Sequence, residues 1–160
     1  MKHVYYLFLL PLVAVCMQSC DMTARSTPFV QFAGKMVRTS AAGLQDTITL
    51  ADTLHVGDTI RLQLALQGGY NSLTSFETKA DSTALRTALE VIPEQLHLLT
   101  TGTDFEHGKL AFVQDKVTIF ITTLRYTPRR AGSHRVEMLI SSSAGEKYSP
   151  QYYSFETTVK

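Results

Sequence analysis

Hydrophobic side chains at every second position constrain this chain more than any other feature. Ile60, Leu62, Leu64 and Leu66 interleave with Arg61, Gln63, Ala65 and Gln67 until Gly68-Gly69 ends the run, the period-two pattern of a strand with one buried face. Val136, Met138 and Ile140 alternate in the same way with Arg135, Glu137 and Ser141, and Tyr153, Phe155, Thr157 and Val159 oppose Tyr152, Ser154, Glu156 and Thr158. Over 117–126 apolar residues face both ways, with Val117, Ile119 and Ile121 on one side and Phe120, Leu124 and Tyr126 on the other, as in a central strand. Weaker strands are expected over 29–37, 47–51, 72–78, 95–99 and 109–113. The stretch 82–90 departs from the pattern: Ala84, Leu85, Ala88 and Leu89 recur at helical spacing behind a Ser82 cap, which predicts a short crossover helix. Many short strands joined by brief connections predict an all-β antiparallel sandwich with that one helix.

The first twenty residues obey different rules. Met1-Lys2-His3 is followed by an apolar run over 4–15 broken only by Pro11, which matches the charged and apolar regions of a secretory signal. The run is too short to span a bilayer, which takes about 20 apolar residues. Ser19 places a small side chain directly before Cys20, as a signal peptidase requires, whereas Val15 before Cys16 does not. Met17-Gln18-Ser19-Cys20 resembles the lipobox of bacterial lipoproteins, in the looser form with Ser before the cysteine. It departs from the strict form at Met17, where Leu is usual, and at Gln18, where a small or apolar residue is usual. The resemblance implies cleavage before Cys20, acylation of Cys20 and attachment to the cell envelope by a lipid anchor. The outer membrane is the expected site, with its periplasmic or surface side left open. An ordinary secreted protein and an uncleaved anchor are the alternatives. The chain then divides into a lipoprotein signal peptide over 1–19, a polar tether over 20–28 and one domain over 29–160.

Cleavage there removes Cys16 and leaves Cys20 as the one remaining cysteine, its sulfur already acylated, so no disulfide staples the domain. About 140 residues suffice for a core without staples. The chain carries 15 basic and 14 acidic residues, and loss of Lys2 with the signal makes the two equal. That balance argues against electrostatic binding of nucleic acid or of anionic lipid. Several acyl chains would supply membrane attachment instead.

Tyr126-Thr127-Pro128-Arg129-Arg130-Ala131-Gly132-Ser133-His134 is similar to the corner between the fifth and sixth strands of immunoglobulin-like bacterial domains, where an aromatic-x-Pro-x-x-Ala-Gly run precedes a strand of alternating apolar residues. Pro128 ends a ladder, Gly132 permits a positive φ, and the chain reverses across the sandwich. The resemblance implies an immunoglobulin-like β-sandwich. His134 departs from it, standing where a tyrosine corner has its tyrosine; Val136 occupies the position of a cysteine, and the chain has no Trp to pack on it.

Motifs that carry chemistry are scarce. The sequence has no nucleophile elbow, zinc-binding helix motif, phosphate-binding glycine loop or calcium loop, and no catalytic residue, metal ligand or cofactor is assigned. His55, His97, His107 and His134 fall in separate elements. Asp104, Glu106 and His107 beside Gly102 and Gly108 are the best metal candidate, but a solvated turn accounts for the same residues. Glu90 and Glu94 straddle Pro93 and read as solvated carboxylates without a partner. Arg129 and Arg130 read as a solvated turn. Tyr70, Tyr148 and Tyr152 are candidate ligand-binding residues, because exported sandwich domains present exposed aromatics to glycans. The resulting expectation is a non-catalytic envelope lipoprotein acting as a protein-interaction or accessory module on an envelope protein. A glycan- or ligand-binding surface module is the alternative, and a small hydrolase or metal enzyme the remote one.

Overall fold

The computed structural model describes residues 26–144 and 147–160; the signal segment, Cys20 and most of the tether lie outside the described residues. Among the described residues nine strands follow in order: β1 (Phe29–Thr39), β2 (Gln45–Ile48), β3 (Thr59–Gln67), β4 (Leu73–Lys79), β5 (Leu85–Glu90), β6 (Lys109–Ala111), β7 (Ile119–Pro128), β8 (Gly132–Ser142) and β9 (Gln151–Val159). They form two antiparallel sheets, one ordered β2-β1-β3-β7-β5 and the other β6-β4-β8-β9. With β1, β3, β7 and β5 as strands A, B, E and D, and β4, β8 and β9 as C, F and G, this is the immunoglobulin-like strand order, with β2 and β6 added at the edges.

Alternation decides which face each strand buries. Ile60, Leu62, Leu64 and Leu66 of β3 meet Phe120, Leu124 and Tyr126 of β7 on one wall of the core, while Phe76 of β4 and Val136, Met138 and Ile140 of β8 form the other. Phe112 and Phe120 stack edge to face with ring centroids 5.0 Å apart, which adds aromatic geometry to the area buried.

The corner forms as the local chemistry dictates. Pro128, which lacks an N–H, is the last residue of β7, and Gly132 opens β8 at φ 127°, a value that side chains resist. Between them the chain crosses from one sheet to the other. His134 Nε2 lies 2.8 Å from the carbonyl oxygen of Arg130, four residues upstream. A tyrosine corner makes the same backward bond with its hydroxyl, so the imidazole takes over that tie.

Three expectations are corrected. The segment expected as a helix over 82–90 is a turn followed by strand β5. Ala84 and Leu85 donate their amides to the Asp81 carbonyl, and the chain then extends along β7. Its helical-looking spacing arises because Leu85 and Leu89 face the core whereas Ala88, opposite Arg125, faces outward yet is only 2% exposed. A residue buried on the outer face breaks the period-two signal. The strand expected over 95–99 is a 3₁₀ helix, Pro93–Leu98, because Pro93 fixes the φ of its first turn and Gln95 and Leu99 donate to carbonyls three residues back. Leu99 alone keeps a bridge, to Phe112. Finally, β7 lies between β3 and β5 but is not buried on both faces: Ile119 is 59% exposed, and Thr123, Arg125 and Thr127 follow it outward. Val117 is buried ahead of the strand.

Candidate interaction site

Strand pairing assembles a charge network on the outer face of the five-stranded sheet. Arg61 of β3 and Arg125 of β7 are directly opposite one another, an arrangement that repels unless an anion bridges it. Glu90, at the end of β5, supplies the bridge, with Arg61 Nε at 3.0 Å from one carboxylate oxygen and Arg125 Nε at 3.5 Å from the other. Glu106, in the connection leading to β6, bonds Arg86 Nη2 and lies 3.5 Å from Arg125 Nη2. The charges therefore alternate Arg61, Glu90, Arg125, Glu106, Arg86 across three strands. All five side chains are partly exposed, which limits what each pair contributes to stability.

The arginines rim an open hollow of about 330 Å³ whose floor is Ala88 and whose walls include Thr59 and Thr127. Thr39 also borders it, but its hydroxyl is shut from solvent, has no hydrogen-bond partner among the described residues and adds no donor to the surface. A larger open cleft of about 650 Å³ adjoins it between the end of β4 and β5, lined by Lys79, Leu85, Arg86, Thr87, His107 and Arg129 among others. Arg86 belongs to both.

Sequence reasoning missed this network. Glu90 is not a partnerless carboxylate, as expected from its neighbourhood in the chain, but holds two arginines. Glu106 likewise faces Arg86 and Arg125 rather than a metal, while Asp104 pairs with His107, Nδ1 to Oδ2, at 2.8 Å. Hydrogen bonds from the His107 side chain and amide hold the Asp104 carboxyl below the usual carboxylate range. Among the described residues no group of three His, Cys, Asp or Glu side chains is arranged to hold a metal ion. His55, His97, His107 and His134 remain on separate elements: the β2–β3 connection, the 3₁₀ helix, the turn before β6, and β8. Arg129 reaches the Ser82 carbonyl at 3.3 Å.

The three candidate tyrosines are set near one end of the sandwich. Tyr70 is 73% exposed in the β3–β4 loop, and Tyr152 is 76% exposed near the start of β9. Tyr148 is half-buried in the β8–β9 connection, with Lys147 Nζ 5.7 Å from its ring centroid. The two loops are joined where Ser143 donates its amide to the Ser72 carbonyl at 2.8 Å. Tyr153, on the inward face of β9, donates its hydroxyl to the Pro28 carbonyl.

No protein-family model matches the sequence. No curated protein matches it either. Among solved structures the chain is similar to one described as BspA_C_mut, at 17% identity and a TM-score of 0.48, over 82% of this chain and 47% of that one. It is similar to BspA_C_WT at 15% identity and a TM-score of 0.48, over 82% and 50%. A human structure, the ASH / PapD-like domain of CEP192 (PapD-like domain 7), is similar at 12% identity and a TM-score of 0.41, over 86% of each chain. The chain spans about half the length of the two BspA_C chains. The immunoglobulin-like assignment rests on the strand order of the sheets themselves.

Proposed function

We propose that this chain is a non-catalytic cell-envelope lipoprotein, anchored through Cys20 in the outer membrane, whose domain over 29–160 works by contact with an envelope protein. The observation that carries the reading is the open edge of β9. Among the described residues this strand pairs with β8 on one side only, and its other edge is taken up just at Thr158 and Lys160, by Leu54 and Val56. Ladder alternation turns the main-chain groups of Tyr152, Ser154 and Glu156 toward that free edge, a template for strand addition. Tyr152 stands exposed beside it, and tyrosine is enriched where proteins meet.

The test is affinity purification of the tagged full-length protein from detergent-solubilised envelopes, alongside Cys20→Ala and Ser154→Pro forms. A stoichiometric partner that is depleted with either substitution supports the reading, and recovery of the protein alone sinks it. A membrane fraction unchanged by Cys20→Ala would defeat the lipid anchor.

The grouping of Tyr70, Tyr148 and Tyr152 near one end favours a second reading, a glycan- or ligand-binding module. It requires Tyr70→Ala and Tyr152→Ala each to reduce retention on a glycan surface, and equal retention removes it.

A further inference from the structure

We propose that the arginine-rimmed hollow and the cleft beside it form one docking strip for an extended, carboxylate-rich peptide segment of a partner protein. This rests on the protein-contact reading and names the chemistry of the partner.

Charge is the first argument. A chain of nearly equal basic and acidic content gathers Arg61, Arg86, Arg125, Arg129 and Lys79 along this strip, against Glu90, Glu106 and Glu77, the last 3.9 Å from Lys79 Nζ. The donors are mostly guanidinium groups, planar forks that hold carboxylates by two bonds at once. Glu90 takes the Nε edges of Arg61 and Arg125, and Glu106 takes Nη2 of Arg86. Both Nη groups of Arg61, and Nε and Nη1 of Arg86, bond no acceptor among the described residues. Carboxylates already fit these forks, and the free edges accept more of them.

The second argument selects a peptide. β5 is an edge strand whose outward amides at Leu85 and Leu89 are satisfied by the carbonyls of Asp81 and Phe105. By the same alternation the N–H and C=O of Thr87, midway between them, face the cleft that Thr87 lines. A peptide crossing there gains a two-bond main-chain pair with an Arg fork beside it, a pattern a polysaccharide does not present.

The third argument excludes the bilayer as occupant. Ser26 is tied to the β3–β4 loop, its Oγ accepting from the Tyr70 amide at 2.9 Å and from Asn71 Nδ2 at 3.0 Å, so the chain enters the sandwich at the Tyr70 end. β4 runs away from that loop to Lys79, and β7 runs away from Ile119 to Pro128, next to Arg129. The strip is therefore at the end remote from an anchor on Cys20 and is presented away from the membrane surface.

The experiment uses the full-length lipidated protein in a neutral detergent and fluorescence anisotropy of a labelled eight-residue peptide alternating Glu and Val, with a Gln and Val counterpart. The Glu peptide is expected to bind at least ~10-fold more tightly than the Gln peptide, and to weaken as salt is raised. Arg129→Gln and Lys79→Gln, which leave the Glu90 and Glu106 network intact, each weaken the Glu peptide by ~3- to 10-fold, and Arg86→Gln by more. Thr87→Pro, which removes the edge N–H, weakens both peptides. Equal affinity for the two peptides, or affinity indifferent to Arg129→Gln and Arg86→Gln in proteins of unchanged melting temperature, overturns the proposal. So does binding of polygalacturonate without binding of the Glu peptide, which would make the ligand an acidic glycan. A partner recovered from envelopes regardless of these substitutions would refute the strip alone and leave the protein-contact reading standing.

Discussion

Tyr126→Phe removes one oxygen from the centre of the domain, and its effect should reverse with pH. The Tyr126 ring is fully buried, and its hydroxyl donates to Met36 Sδ at 3.8 Å. At pH 7 the loss of that hydrogen bond costs about 1 kcal/mol, since neither partner is charged. Burial pushes the phenol far above its ordinary value of 10.0, with the Thr157 side chain a smaller opposing effect. Below pH 10 the phenol is protonated in both folded and unfolded chains, and its contribution to stability is fully present. Above pH 10 the unfolded chain releases the proton while the folded one retains it, so stability falls as pH rises, by about 1.4 kcal/mol at pH 11. Phenylalanine has no such loss. Tyr153, whose phenol is also raised by burial, is common to both proteins and cancels in the difference. Urea unfolding at pH 7 should thus find the variant about 1 kcal/mol less stable, and at pH 11 the two should be equal or inverted. A difference that stays constant from pH 7 to pH 11 would refute the reasoning.

Four further expectations follow from particular contacts. Gly108 has φ 67°, and a Cβ there would lie 2.0 Å from Thr78 Oγ1, so Gly108→Ala should cost about 2 kcal/mol or more, read as a lowered Tm; an unchanged Tm contradicts this. Glu90→Gln leaves Arg61 opposed to Arg125, and the loss of about 1 kcal/mol or less should shrink in high salt; a loss that grows with salt would place its cause elsewhere. Because the His107 side chain and amide hold Asp104 low, an NMR titration should find its midpoint below that of an ordinary aspartate. His107→Ala should move that midpoint upward, and one that stays put would deny the pair. The chain has no Trp, so single reporters are clean: in bilayers with brominated lipid, Tyr70→Trp should be quenched more than Arg129→Trp, and equal quenching would contradict an anchor at the Tyr70 end.

Most of the sandwich was legible because one-sided burial writes itself into the sequence. β3, β8 and β9 each have a clean alternation, and the corner was readable since Pro128 and Gly132 act through their own backbone constraints. Ala88 defeated the same logic at β5: an apolar residue buried on the outer face turned a period of two into an apparent helix. The 3₁₀ helix at Pro93 was hidden by a Leu spacing that fits a strand as well. The arginine network was half legible. Alternation already turns Arg61 outward, but the neighbours of Arg61 are fixed by pairing between β3, β7 and β5, and long-range register leaves no local mark. Glu90 therefore looked partnerless until the fold brought two arginines to it.

Stability alone does not account for that network. Exposed ion pairs contribute about 1 kcal/mol at most, and opposed arginines subtract from it. A sheet face built for stability would carry β-branched residues at positions 61, 88 and 125, since these fill a pleated surface best. Here the smallest side chain, Ala88, lies between long ones and leaves a hollow under their guanidinium groups. Glu90 and Glu106 hold Arg61 and Arg86, respectively, by one edge and leave their other edges free, which keeps these donors aimed outward before any ligand arrives. Preorganised donors lower the ordering cost of binding. The arrangement gives up packing on this face and retains hydrogen-bonding capacity, the trade expected of a surface selected for contact rather than for the stability of the sheet beneath it.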